Sequence, residues 1–257
     1  MEKSKAILFL IISLSVVEIT ALTLIFVLVK GEEAEILEPP EESFVCTSYS
    51  VPVDRSTATS PGHAVPESDK SAPWYLVLVN PWNPLENDPD LPLTYLSSGL
   101  AVDSRMYPDL QAMMDDARAE GLSPLICSAY RTMDEQISLF NDKADLFIEG
   151  GMTPEDAKTE AAKWVAYPGT SEHQIGLAVD IVSVENQRLD SGQENTPVQR
   201  WLMQNSWKYG FILRYPNDKS HITGISYEPW HYRYVGREAA KDIYFSGLTL
   251  EEYLEIR

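Results

Sequence analysis

A chain of 257 residues with 44% hydrophobic, 10% aromatic and 23% charged side chains has the make-up of a folded domain, which excludes wholesale disorder and collagen-like repetition. Twenty Lys and Arg stand against 39 Asp and Glu, a formal net charge of -19 and a pI near 4.5. Phosphate binding needs a basic footprint, so this balance argues against a nucleic-acid partner and against surface attraction to anionic lipid. The two cysteines, Cys46 and Cys127, are too few for a disulfide framework and are not spaced as zinc ligands; one bridge between them is the most they allow.

The predicted elements begin with an apolar run over residues 6–29, in which Glu18 is the only ionisable side chain. At about 1.5 Å per residue a helix of that length exceeds the ~30 Å hydrocarbon thickness of a bilayer. Lys3 and Lys5 precede it, so the N-terminus is expected in the cytoplasm and the rest of the chain outside. A cleaved signal peptide is the rival reading, but its apolar region is shorter, roughly 7–15 residues, and ends in an A-x-A-like site. Residues 1–30 are therefore expected to be an uncleaved transmembrane signal anchor at the cell membrane. Within residues 1–29 Lys3 and Lys5 balance Glu2 and Glu18, so the whole net charge of -19 lies beyond residue 29. Glu32, Glu33, Glu35, Glu38, Glu41 and Glu42 with Pro39 and Pro40 repel one another and cannot bury a core. With the Ser- and Pro-rich stretch that follows, they define a stalk over residues 31–73, and a globular domain is expected over 74–257.

Within that domain short apolar runs predict strands at 75–79, 124–128, 177–182, 210–214 and 231–235. Helices are predicted at 104–120, 133–148, 157–164, 198–209 and 237–245. Thr153-Pro154 and Thr196-Pro197 place a capping hydroxyl and an N1 proline before two of them, and Thr249 with Glu252 reads as a capping box for a short last helix. The strands are not regularly interleaved with crossover helices, which favours α+β, a small mostly antiparallel sheet flanked by helices, over a doubly wound parallel sheet.

Four histidines occur, His63, His173, His221 and His231. His63 falls in the stalk and reads as solvated, and His221 precedes the second of two motifs. The first motif, Ser171-x-His173-x-x-Gly176-x-Ala178-x-Asp180, places a histidine and an aspartate on either side of a glycine that lets the chain turn into a strand. The second, Glu228-Pro229-Trp230-His231, supplies an acid three residues before a histidine. Two imidazoles and one carboxylate form a catalytic zinc ligand set with one position left open, and a nearby glutamate that is not a ligand serves as base. Spacing alone leaves the alternatives standing: His173 as a loop-capping residue, Asp180 as a structural strand residue.

These two motifs, read with Ser128-Ala129-Tyr130-Arg131 and Gln136, with Leu78-Val79-Asn80-Pro81-Trp82-Asn83-Pro84-Leu85 and with the ending Gly247 to Leu254, resemble the VanY-type zinc D-alanyl-D-alanine carboxypeptidases (peptidase family M15B), which include L,D-carboxypeptidases of peptidoglycan stems. The resemblance runs over about residues 74–256. It implies the hedgehog/D,D-peptidase type of α+β fold, one Zn2+ held by His173, Asp180 and His231, and Glu228 as general base. It further implies Arg131 beside the developing oxyanion, and substrate contacts from Ser171, Gln136 and Tyr130. Trp230 either lines the pocket or packs in the core. The expected activity is removal of the terminal D-Ala from peptidoglycan stem peptides outside the cell, without a catalytic serine. Alternatives are an L,D-carboxypeptidase acting on tetrapeptide stems, a non-catalytic wall-binding or sensory ectodomain, and a structural zinc protein with a fourth protein ligand. Cys127, in a predicted strand, reads as a small buried residue rather than a nucleophile.

Overall fold

The computed structural model describes residues 73–255; the expected anchor, the stalk up to residue 72, Cys46 and His63 lie outside them. Four strands, β3 (Pro124–Ser128), β4 (Ala178–Ser183), β5 (Phe211–Leu213) and β6 (His231–Tyr234), form an antiparallel sheet in the order β3-β4-β6-β5, and β1 (Leu93–Tyr95) pairs with β2 (Ala101–Asp103) in a separate antiparallel ribbon. Around them lie α1 (Tyr107–Ala119), α2 (Met133–Glu149), α3 (Pro154–Ala161), α4 (Pro197–Asn205), α5 (Ser220–Thr223), α6 (Arg237–Ser246) and α7 (Leu250–Glu255). The class is α+β with an antiparallel sheet flanked by helices. Among the described residues no helix is long and apolar enough to cross a membrane.

Both central strands, β4 and β6, are buried at every position, and their alternation divides the sheet into two unlike faces. Val179, Ile181, Tyr232, Tyr234 and Phe211 join the main core with Leu110 and Met113 of α1 and Trp201 and Leu202 of α4. Each fully buried Leu, Ile or Phe there contributes about 1.5–3 kcal/mol relative to exposure. The opposite parity presents Asp180, His231 and Arg233. A second core joins Leu76 and Ile212 to the last two helices through Ala240, Ile243, Leu250 and Tyr253, and a third joins Phe140, Ala144 and Phe147 of α2 to Ala157 and Ala161 of α3.

The helix starts follow the sequence. Thr153 and Thr196 accept from the backbone N–H groups of Asp156 and Gln199, each with proline in the first turn. Thr249 and Glu252 make the reciprocal box. Two departures from expectation have local causes. Residues 75–79 form no strand, because Trp74–Leu76 is a 3-10 turn and the Tyr75 and Val77 carbonyls accept from Nη2 of the buried Arg233, at 3.1 and 2.6 Å, in place of a ladder. The helix expected over 198–209 ends at Asn205 and tightens into the 3-10 turn Ser206–Tyr209.

Gly176 ends the 3-10 turn Glu172–Ile175 with φ 65 and delivers the chain into β4. A Cβ there would stand 3.2 Å from the Asp103 backbone nitrogen and 3.3 Å from Leu91 Cδ1, so a side chain meets both left-handed strain and a crowded neighbour. Gly176→Ala is expected to destabilise the domain by about 1–3 kcal/mol, measured by denaturant unfolding of the zinc-free protein.

Candidate active site and metal centre

The site is assembled across the sheet. In the antiparallel register Asp180 stands directly opposite His231 on one side and Ser128 on the other, and directly opposed residues present their side chains to the same face. His173 reaches the same place from the 3-10 turn Glu172–Ile175 that precedes β4. Donor atoms of His173, Asp180 and His231 lie within 4.8 Å of one another, all three residues buried. The two imidazoles meet edge to face, ring centroids 4.9 Å apart at 88°.

Tautomers follow from the partners. His173 Nδ1 is 2.7 Å from the Ala129 carbonyl, which only accepts, so Nδ1 carries the proton and Nε2, 3.4 Å from Asp180 Oδ2, is left with its lone pair. His231 turns Nδ1 toward Asp180 Oδ1 at 3.1 Å and Glu228 Oε2 at 3.6 Å. Asp180 Oδ1 is buried without a hydrogen-bond partner, although leaving a buried acceptor unpaired costs about 1–3 kcal/mol, more when charged. Two imidazole nitrogens and an orphaned carboxylate oxygen converging at this separation fit a tetrahedral zinc ion held by three protein ligands.

The electrostatics agree with a cation site. Burial alone would raise the Asp180 carboxyl, but His173 and His231 hold it well below the usual range. Burial pulls His173 down, only partly opposed by Asp180. In His231 burial acts in the same direction, yet the neighbouring carboxylates of Asp180, Glu172 and Glu228 prevail and push it up to about 9. Glu228, with 13% of its side chain exposed, is pushed up to about 8, chiefly by burial. Three carboxylates therefore crowd two imidazoles in a space with little access to water.

Arg131 follows β3, and its backbone N–H donates to the His173 carbonyl at 3.2 Å. Its guanidinium is held at two points, Nη1 donating to Gln136 Oε1 at 2.6 Å and Nη2 to Ser128 Oγ at 2.9 Å. Gln136 is fully buried and its amide donates to the Ala166 carbonyl at 2.6 Å; with these partners it orients Arg131. Tyr130 and Trp230 are partly exposed and Ser171 is buried. Trp230 lends its carbonyl to the Ile181 N–H of β4. His221 is exposed on α5. Cys127 lies at the bulge of β3, its Sγ 3.5 Å from the Asp180 carbonyl. The motif reading did not single out Ser128 as the anchor for Arg131, nor a buried group behind His231: Glu172, Arg214, Arg233 and Glu251. Glu172 sits between two motif residues, but its partners are 42 and 61 residues away in sequence.

The sequence and fold are similar to those of known carboxypeptidases. The profile of the VanY family, described as D-alanyl-D-alanine carboxypeptidase, matches residues 99–237. A D-alanyl-D-alanine carboxypeptidase of Enterococcus faecalis (strain ATCC 700802 / V583) is 44% identical over 240 residues, covering 93% of this chain and 81% of that protein. A mutant of the vancomycin resistance D,D-pentapeptidase VanY from a VanB-type resistance cassette, solved in complex with Zn(II), is 50% identical, with a TM-score of 0.65 over 71% of this chain and 99% of the other. The LdcB LD-carboxypeptidase, whose structure reveals the molecular basis of peptidoglycan recognition, is 39% identical, with a TM-score of 0.56 over 69% of this chain and 84% of the other.

The protein is expected to retain one zinc per chain after dialysis, and His173→Ala and His231→Ala to retain no stoichiometric zinc, as measured by elemental analysis of the folded proteins.

Proposed function

The chain belongs to the VanY family of D-alanyl-D-alanine carboxypeptidases, and we propose that it hydrolyses the terminal D-Ala from peptidoglycan stem peptides as a zinc D,D-carboxypeptidase. The observation that carries this reading is the convergence of His173, Asp180 and His231 with Glu228 beside them and Arg131 fixed nearby. His173 through Nε2, His231 through Nδ1 and Asp180 through a carboxylate oxygen would hold the ion. When bound, Zn2+ supplies Lewis acidity, polarising a carbonyl and making water a usable nucleophile near neutral pH.

The chain's own residues do the rest. Glu228 takes a proton from the attacking water as the new C–O bond forms, and returns it to the amine nitrogen as the C–N bond breaks, so that free D-Ala leaves. Burial raises its carboxyl in the metal-free site, and a divalent cation beside it would favour the ionised form that takes the proton. Arg131, kept from rotating by Gln136 and Ser128, offers fixed positive charge where the scissile carbonyl oxygen becomes negative; pre-set orientation is what makes such a charge effective. Gln136 thus acts through Arg131. Ser171, Tyr130 and Trp230 are proposed to contact the substrate.

Identity to D,D-acting relatives at 44% and 50%, against 39% to an L,D-carboxypeptidase, favours the D,D reading. Cys127 is not among the residues whose donor atoms converge with His173, Asp180 and His231, which favours an open position over a fourth, structural ligand, and the ligand and base residues of the family motifs are all present, as a non-catalytic ectodomain would not require. The apolar run 6–29 and the acidic stalk that follows further support an extracytoplasmic domain over 74–257, held at the cell membrane by residues 1–30 and spaced from it by 31–73.

Glu228→Gln is expected to keep its zinc and lose about 10²–10⁴-fold in kcat; a fully active variant would contradict the assignment of the base. Mass analysis of pentapeptide and tetrapeptide stems after incubation should show D-Ala lost from the pentapeptide, whereas loss from the tetrapeptide alone would make the enzyme L,D-specific. Removing residues 1–30 should move the protein from the membrane fraction to the soluble fraction with turnover of soluble peptide unchanged.

A further inference from the structure

Behind His231, on the side away from Asp180, four charged side chains are enclosed together. Arg214 and Arg233 are each 0% exposed at the side chain, as is Glu172, and Glu251 of α7 is 9% exposed. Glu172 Oε1 accepts from Arg214 Nε and from Arg233 Nη1, both at 2.7 Å. Glu251 accepts from the other two nitrogens of Arg214, at 2.9 and 2.6 Å. Two guanidiniums and two carboxylates sum to zero charge, and burial on this scale is tolerated only when the partners and hydrogen bonds are nearly complete.

Two buried atoms stand out from that completeness. Glu172 Oε2 and His231 Nε2 both lack a hydrogen-bond partner, and they face each other at 3.5 Å. Glu172 cannot turn its free oxygen elsewhere, because Oε1 is held by both arginines. His231 turns its other nitrogen, Nδ1, toward Asp180. A neutral imidazole that gives its Nδ1 lone pair to a metal carries its proton on Nε2, where Glu172 Oε2 is the acceptor at hand. An acceptor on the far nitrogen fixes the tautomer and ring orientation of a metal-bound histidine, and removing such a partner typically weakens metal binding about 10–100-fold.

We propose that Glu172 is a positioning residue of the metal site: locked by Arg214 and Arg233, it holds His231 as the Nε2–H tautomer with Nδ1 aimed at the ion. The inference rests on the reading of His231 as a zinc ligand. It gives Glu172 a role beyond that of counter-ion to two arginines.

The two roles separate by zinc affinity. In Glu172→Gln the amide oxygen stays on the guanidiniums and the NH2 group is turned toward His231 Nε2–H, setting donor against donor. Zinc affinity of the folded variant, measured by competition with a chelator, is expected to fall about 10–100-fold, with a changed visible spectrum of the Co2+-substituted protein. Glu172→Asp, which keeps the charge but withdraws the carboxylate by one methylene, should weaken zinc in the same direction. Glu251→Gln, which breaks the other half of the Arg214 pairing, should lower thermal stability and leave zinc affinity unchanged. Parent zinc affinity and Co2+ spectrum in both folded Glu172 variants would overturn the proposal. Should the substitutions prevent folding, 15N-histidine NMR of the unaltered zinc-loaded protein decides: a proton on Nε2 of His231 is expected, and an Nε2 without one would refute it. Stoichiometric zinc in His231→Ala would instead overturn the ligand assignment on which the inference stands.

Discussion

The register between β4 and β6 is the constraint on which the rest of this molecule depends. Asp180 and His231 are Cα partners in adjacent antiparallel strands, and Ser128 of β3 stands across from Asp180 on the other side. One row across the sheet thus carries a carboxylate, an imidazole and the hydroxyl that anchors Arg131. Because side chains alternate faces along a strand, a slip of one residue would send Asp180 into the apolar core and bring Val179 or Ile181 in its place. The core enforces the register: Val179, Ile181, Tyr232 and Tyr234 are buried on the opposite face, and they would be exposed to the polar side by the same slip. Folding energy and ligand geometry are therefore fixed by one alternation.

The polar face carries a heavy concentration of buried charge, and it is divided into two parts with different balances. Behind His231 the pairing is internal, two arginines against two glutamates. Breaking such a buried pair by removing one partner commonly costs about 3–5 kcal/mol, so this cluster ties β5, β6, the motif turn and the C-terminal helix into one rigid support. In front of His231 the pairing is left to a cation: Asp180 Oδ1 has no hydrogen-bond partner, and His231 is pushed up to about 9 by the acids around it. A rigid neutral support behind the ligands and an unpartnered carboxylate oxygen before them is an arrangement suited to holding a divalent ion without rearrangement. The strand 75–79 expected from the apolar pattern is absent for a reason that belongs to the same support, since Arg233 takes the Tyr75 and Val77 carbonyls.

Much of this was legible in the sequence because it is local. The capping threonines at 153, 196 and 249 act within three residues of themselves, and each motif spans ten residues or fewer, so spacing and chemistry could be read together. Gly176 was recognisable as the turn into the strand, and its positive φ agrees. What escaped reading is non-local or too short. The three-residue strands Leu93–Tyr95 and Ala101–Asp103 are too brief for alternation to show. The Arg214–Glu172, Arg233–Glu172 and Arg214–Glu251 pairs join residues 42, 61 and 37 apart, and no periodicity along the chain marks an arginine as buried. Gln136 was expected, from the resemblance, to contact the substrate; its place as a brace for Arg131 depends on a side-chain contact that only the fold supplies.

The strand register is proposed to build a three-ligand zinc site with Glu228 left outside the coordination shell. Anomalous diffraction at the zinc edge from crystals of the zinc-loaded protein tests it most directly. A single peak is expected about 2.0–2.2 Å from His173 Nε2, His231 Nδ1 and one Asp180 carboxylate oxygen, with no further protein atom at bonding distance. A peak elsewhere, or one bonded to Glu228 as a fourth protein ligand, would contradict it.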